Sequence, residues 1–582
     1  MIMETVNLKI NHMPITVPRG STILEAAREA HIEIPTLCFL KKINEIGACR
    51  ICMVEVKGMR SLVTACVYPV TEGIEVYTNT PKVRQSRKLT LELILSTHDR
   101  HCLSCARSGN CELQELCKEF GVDDETRFEG ENPQYNFDDS SAHMVRDNSK
   151  CILCRRCIAA CEAQHVAVIG ANARGFDTHV GSAFDRDLDH VSCVSCGQCV
   201  VNCPTGALLE KDESDKVLAA IHDPDRFVIV NTAPSIRVTL GECFGMHLGT
   251  NVQGKMVAAL RRLGFDKVFD TEIAADFTIV EEATEFVERL EHGGVLPMIT
   301  SCSPGWVKFC ELYYPEFIPN LSSCKSPQQM FGAIIKTWYA KKMNLDPAQI
   351  VVVGIMPCTA KKYEARRDYQ SAAGIPDVDI ALTTRELARM IDSAGIFFPK
   401  LPDEAFDNPL GEASGAAMIF GATGGVMEAA LRTAVEKLTG EELETPDFTE
   451  VRGTNGIKEA TYNVGGKEVK VCVASGLANA HTVLQRVKNG EADYHFIEFM
   501  ACPGGCVNGG GQPIQHAVVR NFIDLRGIRG QALYQADKDL PLRKSHANPA
   551  VQAVYEEVLG EPGSHKAHEV LHTMYAAKPK YR

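Results

Sequence analysis

The chain has 582 residues, 45% of them apolar and 23% charged, with a formal net charge of −13. This length predicts about three to five domains with room for a large core, and the acidic balance speaks against a nucleic-acid partner. The 24 cysteines gather in short C-x2-C units, which reads as metal binding in a reducing compartment and not as a disulfide framework. The N-terminal MIMETVNLKINHM lacks a basic stretch followed by an apolar one, and no run reaches about 18 uninterrupted apolar residues. Neither a signal peptide nor a membrane span is therefore expected, and the cytoplasm is the expected location.

Residues 1–80 predict a small β-rich unit. TVNLKINHMPITV alternates apolar and polar residues about a turn, the pattern of a hairpin. Ser21 is the expected cap of the helix TILEAAREA, with Glu25 near the capping-box position. Cys38, Cys49, Cys52 and Cys66 follow. Four thiolates around a C-x2-C core suit a 2Fe-2S cluster, although the first gap is longer than in the plant-type spacing; a structural zinc site is the other reading. Residues 81–120 predict helices, with an apolar face on RKLTLELILS. They carry His98, Cys102, Cys105 and Cys111, one imidazole and three thiolates. That set fits zinc by spacing alone, but zinc is redox-silent and the position between two iron–sulfur modules favours a 4Fe-4S cluster. His101 is a rival to His98, and Cys117 reads as a helix-face cysteine. The acidic, turn-rich residues 121–140 predict a linker.

Residues 141–212 hold two copies of C-x2-C-x2-C-x3-C: Cys151, Cys154, Cys157 and Cys161, then Cys193, Cys196, Cys199 and Cys203 before Pro204. This is the bacterial ferredoxin run for two 4Fe-4S clusters, in which the fourth cysteine of each run ligates the other cluster. The expected sets are Cys151, Cys154, Cys157 with Cys203, and Cys193, Cys196, Cys199 with Cys161.

From residue 213 to 582 the pattern is α/β. RFVIVNTA, VLPMITS and IVVVGIMP predict buried parallel strands alternating with helices, and glycine-rich stretches end apolar segments. No G-x-G-x-x-G opens a βαβ unit, so no nucleotide site is expected on this chain. Three loops stand out: TSCSPGW at 300–306, MPCTAKKYE at 356–364 and EFMACPGGCVNGGGQP at 498–513. Cys358, Cys502 and Cys506 are soft thiolates of the kind an iron–sulfur cubane needs.

These three loops, in this order and behind these modules, resemble the iron-iron (FeFe) hydrogenases with the clostridial-type accessory arrangement, over residues 3 to 580. The fold the resemblance implies is multidomain α+β and α/β. It comprises a β-grasp 2Fe-2S ferredoxin-like domain, a small helical 4Fe-4S domain with one His and three Cys ligands, a 2x4Fe-4S bacterial ferredoxin-like domain and a large α/β hydrogenase catalytic domain. The implied cofactors are one 2Fe-2S cluster, three accessory 4Fe-4S clusters and an H-cluster, a 4Fe-4S cubane bridged through Cys506 to a two-iron subcluster with CO, CN⁻ and a dithiolate. The resemblance selects His98 over His101.

It also places Lys361 beside the two-iron unit, with an exposed lysine as the plain alternative. Met356 and Met500 become packing around the irons, which core filling would equally explain. Ala233, Pro234, Ser235 and Gln328 match pocket positions. Glu282, Glu285, Ser322 and Arg289 match a proton relay, the two glutamates and the arginine at i, i+3, i+7; a solvated helix face is the other reading of EEATEFVERLEH. One departure stands out. The family's first loop usually reads TSCCP, with a relay cysteine followed by a cubane ligand, and here Ser303 follows Cys302. Cluster chemistry prefers a thiolate, so Cys302 is the expected fourth ligand, with Ser303 ligation as the alternative; Cys310 and Cys324 read as core cysteines.

The implied activity is the reversible oxidation of H2 to two protons and two electrons. The implied partners are ferredoxin and, because the N-terminal modules resemble the start of the large iron–sulfur subunit of respiratory complex I, flavin- and NAD(P)-binding and small Fe-S subunits of an electron-bifurcating complex. A non-catalytic Fe-S assembly factor and a hydrogen sensor are the alternatives. The first lacks the complete MPCxxKxxE loop and the 2Fe-2S unit, and the second usually appends a signalling domain, of which none is expected after residue 510. The tail reads as helices packing back on the catalytic domain.

Overall fold

The structure, a computed structural model, describes residues 4–124, 126–129 and 132–581; the first three residues of the N-terminal segment and three positions of the 121–140 stretch lie outside this range. The N-terminal hairpin forms as read. Thr5–Ile10 pairs antiparallel with Met13–Pro18, and Asn11 and His12, both at positive φ, make the two-residue turn whose twist suits a hairpin. Glu75–Tyr77, Met53–Val56 and Val63–Thr64 extend the sheet to five strands, with helix Ile23–Glu29 packed into its core.

The cap of that helix is Thr22, not Ser21. Thr22 is the last extended residue before the first turn, and its hydroxyl accepts from the Glu25 N–H while Glu25 accepts from the Thr22 N–H. Ser21 lies one residue too early and donates to the Pro18 carbonyl instead.

Helices Pro81–Leu95 and Glu112–Glu119 follow. The described part of 121–140 is turns, ending in a bridge of Asp138 to Arg146. The next unit repeats itself. Helices Arg156–Ala163 and Gln198–Asn202 each start inside a C-x2-C run, and the matching positions Leu153 and Ser195, and Arg155 and Gly197, all take positive φ. Both runs therefore wrap their cysteines in the same way.

The large unit carries two four-stranded sheets. In the first, Lys267–Asp270, Phe227–Thr232, Ile350–Met356 and Ile380–Thr383 are all parallel. In the second, Met298–Ile299, Phe496–Met500 and Lys467–Ser475 are parallel, and Ile457–Val464 closes the edge antiparallel. The Val- and Ile-rich central strands are buried on both faces by separate apolar clusters, which is why they read as apolar runs without alternation. Helix Glu272–His292 lies between the sheets, and tail helices Pro549–Val554 and His565–Leu571 bury Val551, Val554 and Leu571 against its Ile273 and Phe277.

Candidate active site

Parallel sheets place their ligands beyond the carboxyl ends of the strands, and here four strands from two sheets end at one cavity. Phe227–Thr232 leads to Ala233, Pro234 and Ser235, Met298–Ile299 to Cys302 and Ser303, Ile350–Met356 to Cys358, and Phe496–Met500 to Cys502 and Cys506. These residues line a single apolar-walled cavity with Gln328, Met356, Lys361 and Met500. The Cys502–Cys506 turn depends on glycine. Gly505 has φ 93°, and a Cβ there would lie 2.7 Å from the Thr423 nitrogen.

Burial raises the thiol pKa of Cys358, Cys502 and Cys506, Cys506 to about 12, and the charge of Cys358 adds to the rise at Cys502 and Cys506. Lys361 is buried and far from a surface lysine. Its Nζ donates to Glu364 Oε2 at 2.8 Å, and Glu364 also takes hydrogen bonds from Ser326 and Gln328. Gln328 Oε1 is buried at the cavity without a hydrogen bond among the described residues. Three converging soft donors, a buried cation and an orphaned polar atom fit an iron–sulfur assembly with small anionic ligands.

Cys302 lines the same cavity as the other three, on the side toward Glu282. Burial lifts its pKa far up, and Glu282 is the largest charged contributor, followed by Cys506 and Glu498. Ser303 faces the other way, its hydroxyl accepting from the Ala501 N–H next to Cys502. This placement sets Cys302 between Cys506 and a carboxyl group.

Glu282 is fully buried, which removes the solvated-face reading for that residue. Neither of its carboxyl oxygens makes a hydrogen bond of normal geometry, although Ser322 and the Ser301 N–H stand near enough to oppose part of the shift. Burial, helped by Glu285, pushes its pKa up to about 8. Further out, Ser322 Oγ donates to Glu285 Oε2 at 3.1 Å, and Arg289 pairs with Glu285 and donates to the Leu321 carbonyl at 2.9 Å.

The structure brings three of the other cysteine sets together. Cys52 and Cys66 stand 3.3 Å apart, Cys38 is hydrogen-bonded to Cys49, and the two pairs interact. His98 is half-buried with its Nδ1 buried and without a hydrogen bond among the described residues, and desolvation pulls its pKa to about 4, leaving a neutral imidazole able to bind metal. Cys105 lies close enough to Cys111 to raise its pKa. Cys151, Cys154, Cys157 and Cys203 line one small cavity, and Cys161, Cys193, Cys196 and Cys199 another.

The modules touch at their cysteines. Asn44 Nδ2 donates to both the Cys38 and Cys154 carbonyls (2.8 and 3.0 Å), and Arg107 donates to the Cys203 carbonyl at 3.0 Å. Cys196 lies on the wall of the main cavity. A Cβ on Gly510 would sit 2.4 Å from the Cys196 carbonyl oxygen, so only glycine lets the two backbones meet there.

Residues 226–510 match the C-terminal domain of the iron only hydrogenase large subunit, and 523–578 the iron hydrogenase small subunit. Residues 3–81 match a 2Fe-2S iron-sulfur cluster binding domain, 87–126 the NADH-ubiquinone oxidoreductase-G iron-sulfur binding region, and 150–207 a 4Fe-4S dicluster domain. The chain is 49% identical over 98% of its length to the NADP-reducing hydrogenase subunit HndD of Solidesulfovibrio fructosivorans, covering 99% of that protein.

The chain belongs to the iron-only hydrogenases.

Iron hydrogenase 1 of Clostridium pasteurianum is 44% identical, with 97% of this chain and 99% of that protein covered. A solved variant of the [FeFe]-hydrogenase HydA1 of Chlamydomonas reinhardtii superposes with a TM-score of 0.57 at 40% identity, covering 63% of this chain and 100% of that one. The hydrogenase thus catalyses reversible H2 oxidation and carries 2Fe-2S, 4Fe-4S and H-cluster domains; the assembly-factor reading is the weaker one. Among the described residues no helix is long and apolar enough to cross a membrane.

Sequence reasoning missed the supports of this hydrogenase site. Gln512 Nε2 holds both Ser235 Oγ and the Cys506 carbonyl (3.1 and 3.0 Å). Glu498 accepts the Gly424 and Met427 amides, both at 2.7 Å, and so ties the third loop to a neighbouring helix. Gln512 lies in the GGGQP stretch, where a polar residue among glycines was the available signal; nothing in the sequence sets Glu498 apart.

Proposed function

We propose that Cys358, Cys502 and Cys506 hold the H-cluster cubane with Ser303 at its fourth corner, and that Cys302, Glu282, Ser322, Glu285 and Arg289 form the proton route. When bound, the H-cluster supplies the two-electron chemistry on H2. The chain's own residues do the rest. The Lys361 ammonium, fixed by Glu364, offers hydrogen bonds to anionic ligands at the cavity. Ala233, Pro234, Met356 and Met500 exclude water, and Ser235 Oγ, oriented by Gln512, presents a second donor. Glu282, whose raised pKa suits proton exchange near neutrality, hands its carboxyl proton to the Cys302 site and is reprotonated from the Ser322 side, with the reverse order for H2 oxidation. From there Ser322 Oγ connects to Glu285 Oε2, which Arg289 anchors at the outer end.

Electrons follow a branched line. Cys38, Cys49, Cys52 and Cys66 would hold the 2Fe-2S cluster and His98, Cys102, Cys105 and Cys111 a 4Fe-4S cluster, and Asn44 and Arg107 respectively tie these modules to the backbone of the set Cys151, Cys154, Cys157 and Cys203, which would hold the next. Cys161, Cys193, Cys196 and Cys199 would hold the last accessory cluster, and Cys196 reaches the wall of the main cavity. Two entry points suit two kinds of carrier: ferredoxin, and a partner subunit with flavin and an NAD(P) site, in a cytoplasmic, electron-bifurcating assembly. The name of the HndD relative supports an NADP-linked partner.

The observation that carries this reading is the convergence of three thiols, a buried lysine and Cys196 on one cavity. Its test is H2-dependent reduction. The isolated holoenzyme is expected to reduce ferredoxin but not NADP+, and to reduce NADP+ once a flavin subunit is added. Direct NADP+ reduction by the isolated chain would contradict the assignment.

A further inference from the structure

Cys324, read from the sequence as a core cysteine, faces the outer end of the proposed proton route. Its sulfur lies 3.9 Å from Glu285 Oε2. His572, just past tail helix His565–Leu571, approaches from the other side, and one ligand atom from each of Glu285, Cys324 and His572 lies within 4.8 Å of the others. The three come from a long helix, an interior loop and the stretch that matches the small subunit, so tertiary packing alone brings them together.

The histidine is prepared for a metal. Its Nε2 contacts Glu281 Oε2 at 2.9 Å, and Glu281 is buried and held by the Tyr555 hydroxyl and by the Gly563 amide at 3.0 Å. A buried carboxylate on Nε2 keeps the proton there, so Nδ1 is the free lone pair. Nδ1 points to Ser323 Oγ at 2.8 Å, and Ser323 in turn reaches Glu285 Oε2 at 3.2 Å. An entry path exists, because Ser323 and His572 line an open surface pocket with His568 and Lys325.

We propose that Glu285, Cys324 and His572 form a binding site for a borderline-soft divalent cation, Zn2+ by donor set, that closes the outer end of the proton route. One sulfur, one imidazole and one carboxylate with water in the fourth position is a zinc donor set, and a hard cation such as Mg2+ would not select it. Binding releases the Cys324 thiol proton to solvent and takes the Glu285 carboxylate away from Ser322. The site stands on geometry; its effect on turnover rests on the proton route proposed above.

The test is Zn2+ titration of the holoenzyme, with zinc and iron counted per chain after dialysis, Mg2+ as control, and H2 production measured in parallel. The expected result is one Zn2+ per chain with iron unchanged, no Mg2+, and loss of H2 production as the site fills. His572→Gln, whose amide keeps hydrogen bonds to Ser323 and Glu281, is expected to lose the zinc and its inhibition while melting like the parent, and Cys324→Ala to lose both while still unfolding cooperatively at a somewhat lower temperature. Glu281→Gln is expected to weaken binding roughly 10–100-fold. Zinc taken up only as iron leaves, or equal binding in the two ligand variants, would overturn the site. Stoichiometric zinc that leaves H2 production untouched would keep the site and refute the route through Glu285.

Discussion

The electron side of this hydrogenase is written in compact runs, the proton side in single residues borrowed from distant elements. Both runs of the dicluster unit repeat one spacing and one backbone wrap, with Leu153 matching Ser195 and Arg155 matching Gly197. The proposed proton route draws Cys302 from one loop, Ser322 from another, and Glu282, Glu285 and Arg289 from one helix. A cluster needs several thiolates within one small radius, which a short loop supplies at little cost in chain entropy. A proton needs only the next acceptor within hydrogen-bond reach, so any element that packs there will serve.

Removing a cubane thiolate is the largest blow either side can take. Cys358→Ala and Cys502→Ala are expected to abolish H2 turnover and to cost about four irons per chain for the lost 4Fe-4S cubane, while the electron paramagnetic resonance of the accessory clusters persists. Retained turnover in either would break the ligand assignment.

On the proton side, Glu282→Gln is expected to slow turnover by about 10²–10⁴-fold with the iron content unchanged. The sign of its pH dependence follows from burial. The carboxyl is ordinarily ionised above about 4.5, but here its pKa is near 8, so it is protonated at pH 7. The unfolded chain gives up a proton between these limits that the folded chain keeps, so the stability contributed by Glu282 is complete below the lower limit and is lost as pH rises to about 8. Glu282→Gln should therefore melt no lower than the parent at pH 8, and H2 production by the parent should fall as pH climbs past 8. A variant that is inactive because it is unfolded would contradict this. Cys302→Ala belongs to the same class: it should lose turnover but keep its cubane, and loss of about four irons would return Cys302 to the ligand set.

Contacts between modules come next. Arg156 and Glu112 form a buried two-point ion pair at 2.7 and 2.8 Å between the histidine-bearing module and the dicluster unit. Glu112→Gln leaves Arg156 uncompensated and is expected to cost about 3–5 kcal/mol on denaturant unfolding. Asn44→Ala is the mildest, at about 1–3 kcal/mol for two orphaned carbonyls, with slower reduction of an external acceptor and unchanged hydrogen–deuterium exchange at the active site. Equal slowing of both reactions would place Asn44 outside the electron line.

Legibility follows the same division. The hairpin, the parallel strands and every cysteine run can be read because period and spacing are local properties. The capping residue slips by one, since Ser21 and Thr22 are chemically alike and only the φ/ψ of the last extended residue separates them. For Cys302 and Ser303 the loop spacing leaves the choice of ligand to chemistry, which the iron count of Cys302→Ala decides. Glu498 and Cys324 stay silent because their roles arise from partners 74 and 39 residues away, and Gln512 shows only as a polar residue among glycines, with its partner Ser235 277 residues away.

Infrared spectroscopy of the matured holoenzyme tests the central claim most directly. Bands from iron-bound CO and CN⁻ are expected in the parent and absent in Cys506→Ala, in which the accessory clusters remain. A matured parent with all its accessory clusters and no such bands would contradict the account.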